Sequence, residues 1–121
     1  MESLMNDQAT APAKADHADC IFCKIADGQI PARKIHEDDK AVVFHDINPS
    51  APVHFLIIPK QHVVNLYDGA ENPELLGHLM SLCGPLAREQ GLQDGFKVQI
   101  NNGRKGGQEV YHLHIHVLGS K

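Results

Sequence analysis

Near the end of the chain, residues 112–117 read HLHIHV, a strict alternation of imidazole and aliphatic side chains. Successive side chains of an extended strand point to opposite faces, so His112, His114 and His116 fall on one side and Leu113, Ile115 and Val117 on the other. The aliphatic set needs a core, which pins the register: a slip of one residue would bury three imidazoles in its place. The histidine face is therefore expected to look onto a cleft or solvent. Same-face neighbours on a strand lie roughly 6.5–7 Å apart, too far for three of them to share one zinc, whose nitrogen ligands sit at about 2.0–2.1 Å. They suit an extended ligand instead, such as a phosphate with its leaving group. An imidazole with its ordinary pKa of about 6.5 is mostly neutral near pH 7. Neutral, it is a nucleophile toward phosphorus; protonated, it binds an anion or donates to a leaving group. A polar sheet face would explain one such histidine, but three in alternation after a Gly-Gly turn favour a site.

A chain of 121 residues is one domain, long enough to bury a core without staples. The formal net charge of −4 and the lack of any Lys/Arg block argue against a nucleic-acid duplex or an anionic membrane as main partner. A small anion remains compatible, since neutral histidine and backbone N–H groups bind phosphate whatever the net charge. No stretch has the length of a membrane span, and the start has neither a basic nor an apolar leader segment, so a soluble, cytoplasmic protein is expected. Residues 1–18, rich in Ala, Asp and small polar residues without apolar period, read as a flexible N-terminal tail. The domain is expected to span residues 19–121.

Along that domain, CIFCKIA reads as a short helix or turn with Phe22 and Ile25 inward, and residues 33–37 as a first strand. KAVVFHDI and VHFLIIPK are β-rich runs; the two prolines of NPSAP between them cannot continue a ladder, which predicts a hairpin with a longer loop. Asn72 as N-cap, Pro73 at the first helical position, and Leu75, Leu76, Leu79, Leu82, Cys83 and Leu86 at helical spacing predict a helix ending near Gly91. Pro85 removes the donor to the Ser81 carbonyl and predicts a kink in its last turns. FKVQINNG and VYHLHIHVLG read as two further strands joined through a glycine-rich turn. The sum is an α+β domain: an antiparallel sheet of about five strands with one main helix.

HLHIHVL also fits a His-φ-His-φ-His-φ-φ pattern, with φ apolar. Together with IPARKI, FHDINPSAPVHFLIIPK, LLGHLM and GGQEVYHLHIHVLG, it makes the span from Asp19 to Gly119 resemble the histidine triad (HIT) nucleotide-binding proteins of the Hint branch. The resemblance implies a homodimer whose sheet extends across both subunits, each binding a purine nucleoside monophosphate. The implied reaction is hydrolysis of nucleoside 5′-phosphoramidates or acyl-adenylates to the monophosphate. His114 would be the nucleophile that forms a nucleotidyl-histidine intermediate. His116 would bind the phosphate oxygens, with His112 and His54 orienting the nucleophile. Asp46 would accept the ribose hydroxyls, and Phe22, Ile25, Ile47 and Leu56 would wall the base. Asn101 and the backbone at Gly107, Glu109 and Val110 would hold the phosphate through N–H groups freed by the turn. Without the resemblance, Asp46 reads as a turn cap and the four apolar residues as core. Where some members carry Ser, this chain has Glu109, whose carboxylate would repel phosphate unless it points away.

Cys20 and Cys23 have a spacing at which two thiolates can ligate one metal. Bacterial-type relatives complete such a site with the histidine after IPK and the first of the triad, here His62 and His112. The resemblance thus implies a structural zinc on Cys20, Cys23, His62 and His112, although the proposed chemistry requires no cofactor. The alternative is a pair of reduced cysteines packed at the N-terminal turn. Cys83 reads as core, and His17, His36, His45 and His78 as surface or local hydrogen bonding. Two rival functions stand beside the phosphoramidase: a dinucleoside polyphosphate hydrolase, and a non-catalytic purine-nucleotide-binding or scaffold protein. GGQEVYH and LLGHLM favour the first reading, and a pure binder needs no nucleophile.

Overall fold

In the computed structural model, which describes residues 19–121, the two β-rich runs form the centre of one sheet. The expected tail, residues 1–18, lies outside the described residues. β1 (Lys34–Glu37) is followed by β2 (Ala41–His45) and β3 (Val53–Pro59), with Ala41 opposite Pro59 and His45 opposite Phe55. β4 (Lys97–Gln99) and β5 (Ile115–Gly119) complete a five-stranded sheet in the order β1-β2-β3-β5-β4, antiparallel throughout. This is the expected α+β architecture. Every residue of β3 is buried, because helices cover both faces of this central strand; its sequence is accordingly a continuous apolar run broken only by His54.

Among the described residues three helices flank the sheet: α1 (Ile21–Ala26), the single turn α2 (Leu66–Gly69) and α3 (Pro73–Glu89). The Asn72 side chain caps α3 by accepting the Leu75 N–H at 3.2 Å, with Pro73 at the first helical position as predicted. Leu75, Leu79, Cys83, Leu86 and Ala87 form the buried stripe. They meet Val53, Phe55, Ile57, Ile115 and Val117 from one sheet face, with Leu113 in the same cluster. Truncating Leu79, fully buried there, to Ala costs about 2–5 kcal/mol. The helix continues through Pro85 to Glu89; Pro85 and Ser81 both lie on its exposed side, where water can take the freed carbonyl. On the opposite sheet face, α1 buries Phe22, Ile25 and Ala26 against Val42, Phe44, Leu56 and Ile58.

The histidine segment departs from the strand expected for it. β5 begins only at Ile115, and the ladder with β3 stops at Ile57 opposite Ile115. Upstream, the chain pairs elsewhere: the Leu113 N–H donates to Val63 O, and the Pro59 carbonyl lies 2.8 Å from Nε2 of the His112 ring. FKVQINNG likewise contributes only three residues to β4, and the connection to β5 includes a 3-10 turn at Arg104–Gly106.

Candidate active site and metal centre

Alternation of faces persists through the segment, but the histidine side is largely closed. His112 is fully buried and His114 only 8 % exposed, which corrects the expectation that all three imidazoles look onto a cleft. The cover is α1, whose Phe22 ring stands edge-on to His114 with centroids 5.1 Å apart. His116, half-buried in β5, is the member nearest the opening.

Nδ1 of His114 lies 2.8 Å from the His112 carbonyl oxygen. A carbonyl can only accept, so Nδ1 carries the proton and Nε2 of the neutral ring presents a lone pair. Burial pushes the His114 pKa below the ordinary histidine value, against the opposing pull of that hydrogen bond and of the Asp46 and Glu109 charges. The ring is thereby kept neutral, the state a nucleophile needs.

A second chain of protons fixes His116. The Ser50 N–H donates to Nδ1 of His54 at 2.9 Å, so the neutral His54 ring carries its proton on Nε2. That N–H points at Nδ1 of His116, 2.9 Å away, with Oδ2 of Asp46 at 3.3 Å. His116 therefore accepts on Nδ1 and turns its own N–H, on Nε2, outward. Burial, then the neighbouring His114 and His54, push its pKa down to about 4, against the pull of Asp46.

Of the residues expected to wall the base, Phe22, Ile25 and Leu56 belong to the core cluster under α1, whereas Ile47 is 90 % exposed. The structure does not bring Ile47 into that wall; it stands at the rim beside Asp46. Asp46 is a turn cap, its Oδ1 accepting the Asn48 N–H at 2.8 Å, while Oδ2 faces His54. Asn101 ties β4 to the glycine turn by donating from Nδ2 to Gly106 O at 2.8 Å and accepting from Gln99. Gly107 adopts a positive φ of 86°, and a Cβ there would meet Asn101 Nδ2 at 3.3 Å. Its N–H is not freed by the turn as expected, because it donates to Arg104 O. The N–H groups of Glu109 and Val110 have no acceptor among the described residues, and the Glu109 side chain is exposed.

Gln108 was not singled out in the sequence, yet it organises this loop from a buried position. Its Oε1 accepts from Gly103 N–H and Asn65 Nδ2, and its Nε2 donates to the carbonyls of Val64 and Val110. A polar residue after Gly-Gly carries no periodic signal that would mark it as buried. α2 was missed as well, although Asn65 and Asp68 form a capping box that the Asn-x-x-Asp spacing makes legible.

The four residues of the implied metal site do converge: ligand atoms of Cys20, Cys23, His62 and His112 all lie within 4.8 Å of one another. Cys20 caps α1 and Cys23 sits in its first turn, which places both thiols at one end of the helix. The Sγ–Nδ1 separations are 3.3 Å for Cys20–His112, 3.1 Å for Cys23–His62 and 3.4 Å for Cys23–His112. A tetrahedral zinc with its usual bond lengths has sulfur–nitrogen edges of about 3.6 Å. His112 presents the correct tautomer, since its Nε2–H donates to Pro59 O and Nδ1 faces the thiols. The residues thus fit a zinc. Burial and then the Cys20 side chain push the Cys23 thiol up to about 12, the shift a cation would reverse.

Asp46, His54 and His116 also bring three ligand atoms within 4.8 Å. Here the tautomer is wrong for a metal: the Ser50 N–H occupies Nδ1 of His54, and the Nε2 that would coordinate carries the proton. Of the remaining histidines, His36 and His78 both reach Oδ2 of Asp38, at 2.7 and 2.9 Å, clasping α3 to β1.

A profile of the HIT domain matches residues 27–121. Protein HitA of Neisseria gonorrhoeae is 53 % identical over 102 residues, covering 84 % of this chain and 95 % of that protein. Among solved structures, a HIT family hydrolase from Legionella pneumophila superimposes with a TM-score of 0.80 at 44 % identity, covering 84 % of this chain and 93 % of its own. A histidine triad nucleotide-binding protein from Candida albicans gives a TM-score of 0.75 at 37 % identity, with 81 % and 72 % covered. The geometry derived above therefore sits in a known framework: this chain belongs to the HIT domain family.

Proposed function

We propose that the protein is a nucleotide-binding hydrolase that cleaves purine nucleoside 5′-phosphoramidates, or acyl-adenylates, through a covalent intermediate on His114. The observation that carries this reading is the paired proton placement: a lone pair on Nε2 of His114 and an outward N–H on Nε2 of His116, set by the His112 carbonyl and by Ser50 through His54. The names of the Legionella and Candida proteins support hydrolysis and nucleotide binding.

In the first step, Nε2 of His114 attacks the α-phosphorus and the bond to the leaving group breaks. A departing amine takes its proton from solvent, whereas a carboxylate leaves as the anion. His116 N–H and the amides of Glu109 and Val110 hold the non-bridging oxygens as charge builds on them. Water then attacks phosphorus from the side the leaving group vacated and gives up a proton to solvent; the bond to Nε2 breaks, releasing the monophosphate and restoring the neutral His114. Asp46, at the rim with Ile47, takes the ribose hydroxyls. Cys20, Cys23, His62 and His112 would hold a zinc, which when bound ties α1 to the histidine segment and fixes the His112 tautomer.

Residues 19–121 act as one cytoplasmic HIT domain in this reading; among the described residues no helix is long and apolar enough to cross a membrane. Two copies join their sheets across β4. The opposite edge, β1, is blunted by the charged pair Lys34–Glu37, whereas Phe96, just before β4, is 41 % exposed.

Steady-state hydrolysis of adenosine 5′-phosphoramidate, with His114→Ala as paired control, tests the reaction. Turnover abolished in the variant with AMP binding retained supports it. A wild type that binds AMP without turning over the phosphoramidate refutes it and favours the binding-protein reading.

A further inference from the structure

The sulfurs of Cys20 and Cys23 lie within 4.8 Å of each other at one end of α1, Cys20 as its N-cap and Cys23 in its first turn. Residues three apart across one helical turn have Cα atoms about 5 Å apart, inside the span of roughly 4.4–6.8 Å that a disulfide bridges. Rotation of the side chains therefore brings the two sulfurs to bonding distance. Both residues are half-buried, within reach of a small oxidant, whereas Cys83 is 4 % exposed in the core. Cys83 also packs on the sheet face opposite α1. Of the three cysteines, the fold brings only this pair together.

In the reduced state the same sulfurs tie the start of α1 to the histidine segment. Nδ1 of His112 is 3.3 Å from Cys20 Sγ and 3.4 Å from Cys23 Sγ, and Nδ1 of His62 is 3.1 Å from Cys23 Sγ. The His112 ring donates from Nε2 to Pro59 O, so its Nδ1 accepts from an S–H or faces a cation held by both thiolates. Sulfurs joined to each other have no proton to donate and no charge to share with a cation. Phe22 lies between the two cysteines in the chain and stands edge-on to His112 and His114, with centroids 6.0 and 5.1 Å away. A rearrangement of residues 20–23 thus acts on the cover of His114.

We propose that Cys20 and Cys23 are an oxidation site: hydrogen peroxide joins them in a reversible disulfide, and that bond loosens the start of α1 from His62, His112 and His114. One sulfur attacks an oxygen of the peroxide, the O–O bond breaks, and a sulfenic acid and water form. The second sulfur attacks the sulfenic sulfur, the S–O bond breaks, and a second water leaves. The two thiol protons end in those waters, and the two electrons given up by the sulfurs reduce the peroxide. A dithiol reductant reverses the bond by exchange. A zinc held by the four residues would lose two of its ligands in the same step. No nucleotide takes part, so the oxidation stands whichever bond His114 cleaves.

The test treats the folded full chain with hydrogen peroxide, then denatures it in an alkylating agent and digests it with trypsin. Cleavage after Lys14 and Lys24 leaves Cys20 and Cys23 together in peptide 15–24 and Cys83 in another. Peptide 15–24 should escape alkylation and weigh two hydrogens less than its dithiol form, and dithiothreitol should restore both thiols. The Cys83 peptide should be alkylated throughout. Hydrogen exchange in the oxidised protein should quicken in residues 20–26 and 112–114 and stay unchanged in α3. Cys83→Ser should respond as the wild type does, and Cys20→Ser should lose the two-hydrogen shift; the wild-type peptide reports the bond even if a variant folds poorly. No reaction, a sulfinic acid in place of the disulfide, or chains cross-linked through these cysteines overturns the proposal. So does a disulfide that leaves exchange in residues 20–26 unchanged, because the bond would then have no hold on α1.

Discussion

Nε2 of His54 and Nδ1 of His116 stand 2.9 Å apart, and the Ser50 amide on the far side of His54 decides which of them owns the proton. His54 is 5 % exposed and is held by backbone, so its N–H is a fixed donor. Removing it leaves Nδ1 of His116 without that donor and frees the ring to turn its lone pair outward. His54→Ala should lower kcat by about tenfold to a hundredfold, the kinetic equivalent of one strong hydrogen bond. His54→Gln, whose amide can donate from a similar place, should recover part of the loss. An equal loss in both variants would contradict the positioning role.

The His116 ring also predicts a pH dependence of stability. Its folded-state pKa is pushed down to about 4, chiefly by burial, whereas an unfolded histidine titrates near 6.5. The unfolded chain therefore binds the proton first. The contribution of His116 is fully present above about pH 6.5 and is lost as pH falls toward 4. The melting temperature should drop over that window, and His116→Gln should show a smaller drop. Identical acid limbs in the two proteins would show that His116 carries no such linkage.

The division of the histidine segment into two faces was legible in HLHIHV, and Leu113, Ile115 and Val117 do enter the core. What periodicity could not show was the cover. α1 is six residues long and meets His112 and His114 from about ninety positions away, so local pattern holds no record of it. Separation in sequence, 39 positions from Cys23 to His62 and 92 from Cys20 to His112, likewise hid the convergence of the four residues, which only the family resemblance anticipated. Leu56 and Ile25 read equally as core or as pocket wall; both pack in the cluster under α1, and Ile47 is exposed. Strand limits failed where side chains displaced the ladder, as the His112 ring does at Pro59 O.

Gln108 is predicted to be the most sensitive polar residue of the loop between β4 and β5. Its amide satisfies two donors and two carbonyls at once in a site 5 % exposed. Gln108→Ala should destabilise the protein by about 3 kcal/mol, since several buried groups lose partners together. Gln108→Glu should be at least as harmful, because a second acceptor would face the carbonyls of Val64 and Val110. Chemical denaturation measures both, and a loss in Gln108→Ala below about 1 kcal/mol would show that water replaces the amide.

The thiol cluster predicts a metal-dependent fold around α1. Neither thiol has an oxidised partner, and Nδ1 atoms of His62 and His112 lie 3.1–3.4 Å from the sulfurs. Protein purified without chelator should contain stoichiometric zinc by elemental analysis, and Cys23→Ser should lose it. Because α1 is short and is held at its start by Cys20 and Cys23, loss of the metal should loosen Phe22 from His114. The melting temperature should fall by about 5–10 °C, corresponding to 1–2 kcal/mol in a domain of this size. Hydrogen exchange should rise first in residues 20–26. Unchanged zinc content in Cys23→Ser, or a zinc-free wild type of equal stability, would leave the four residues as a reduced, hydrogen-bonded cluster.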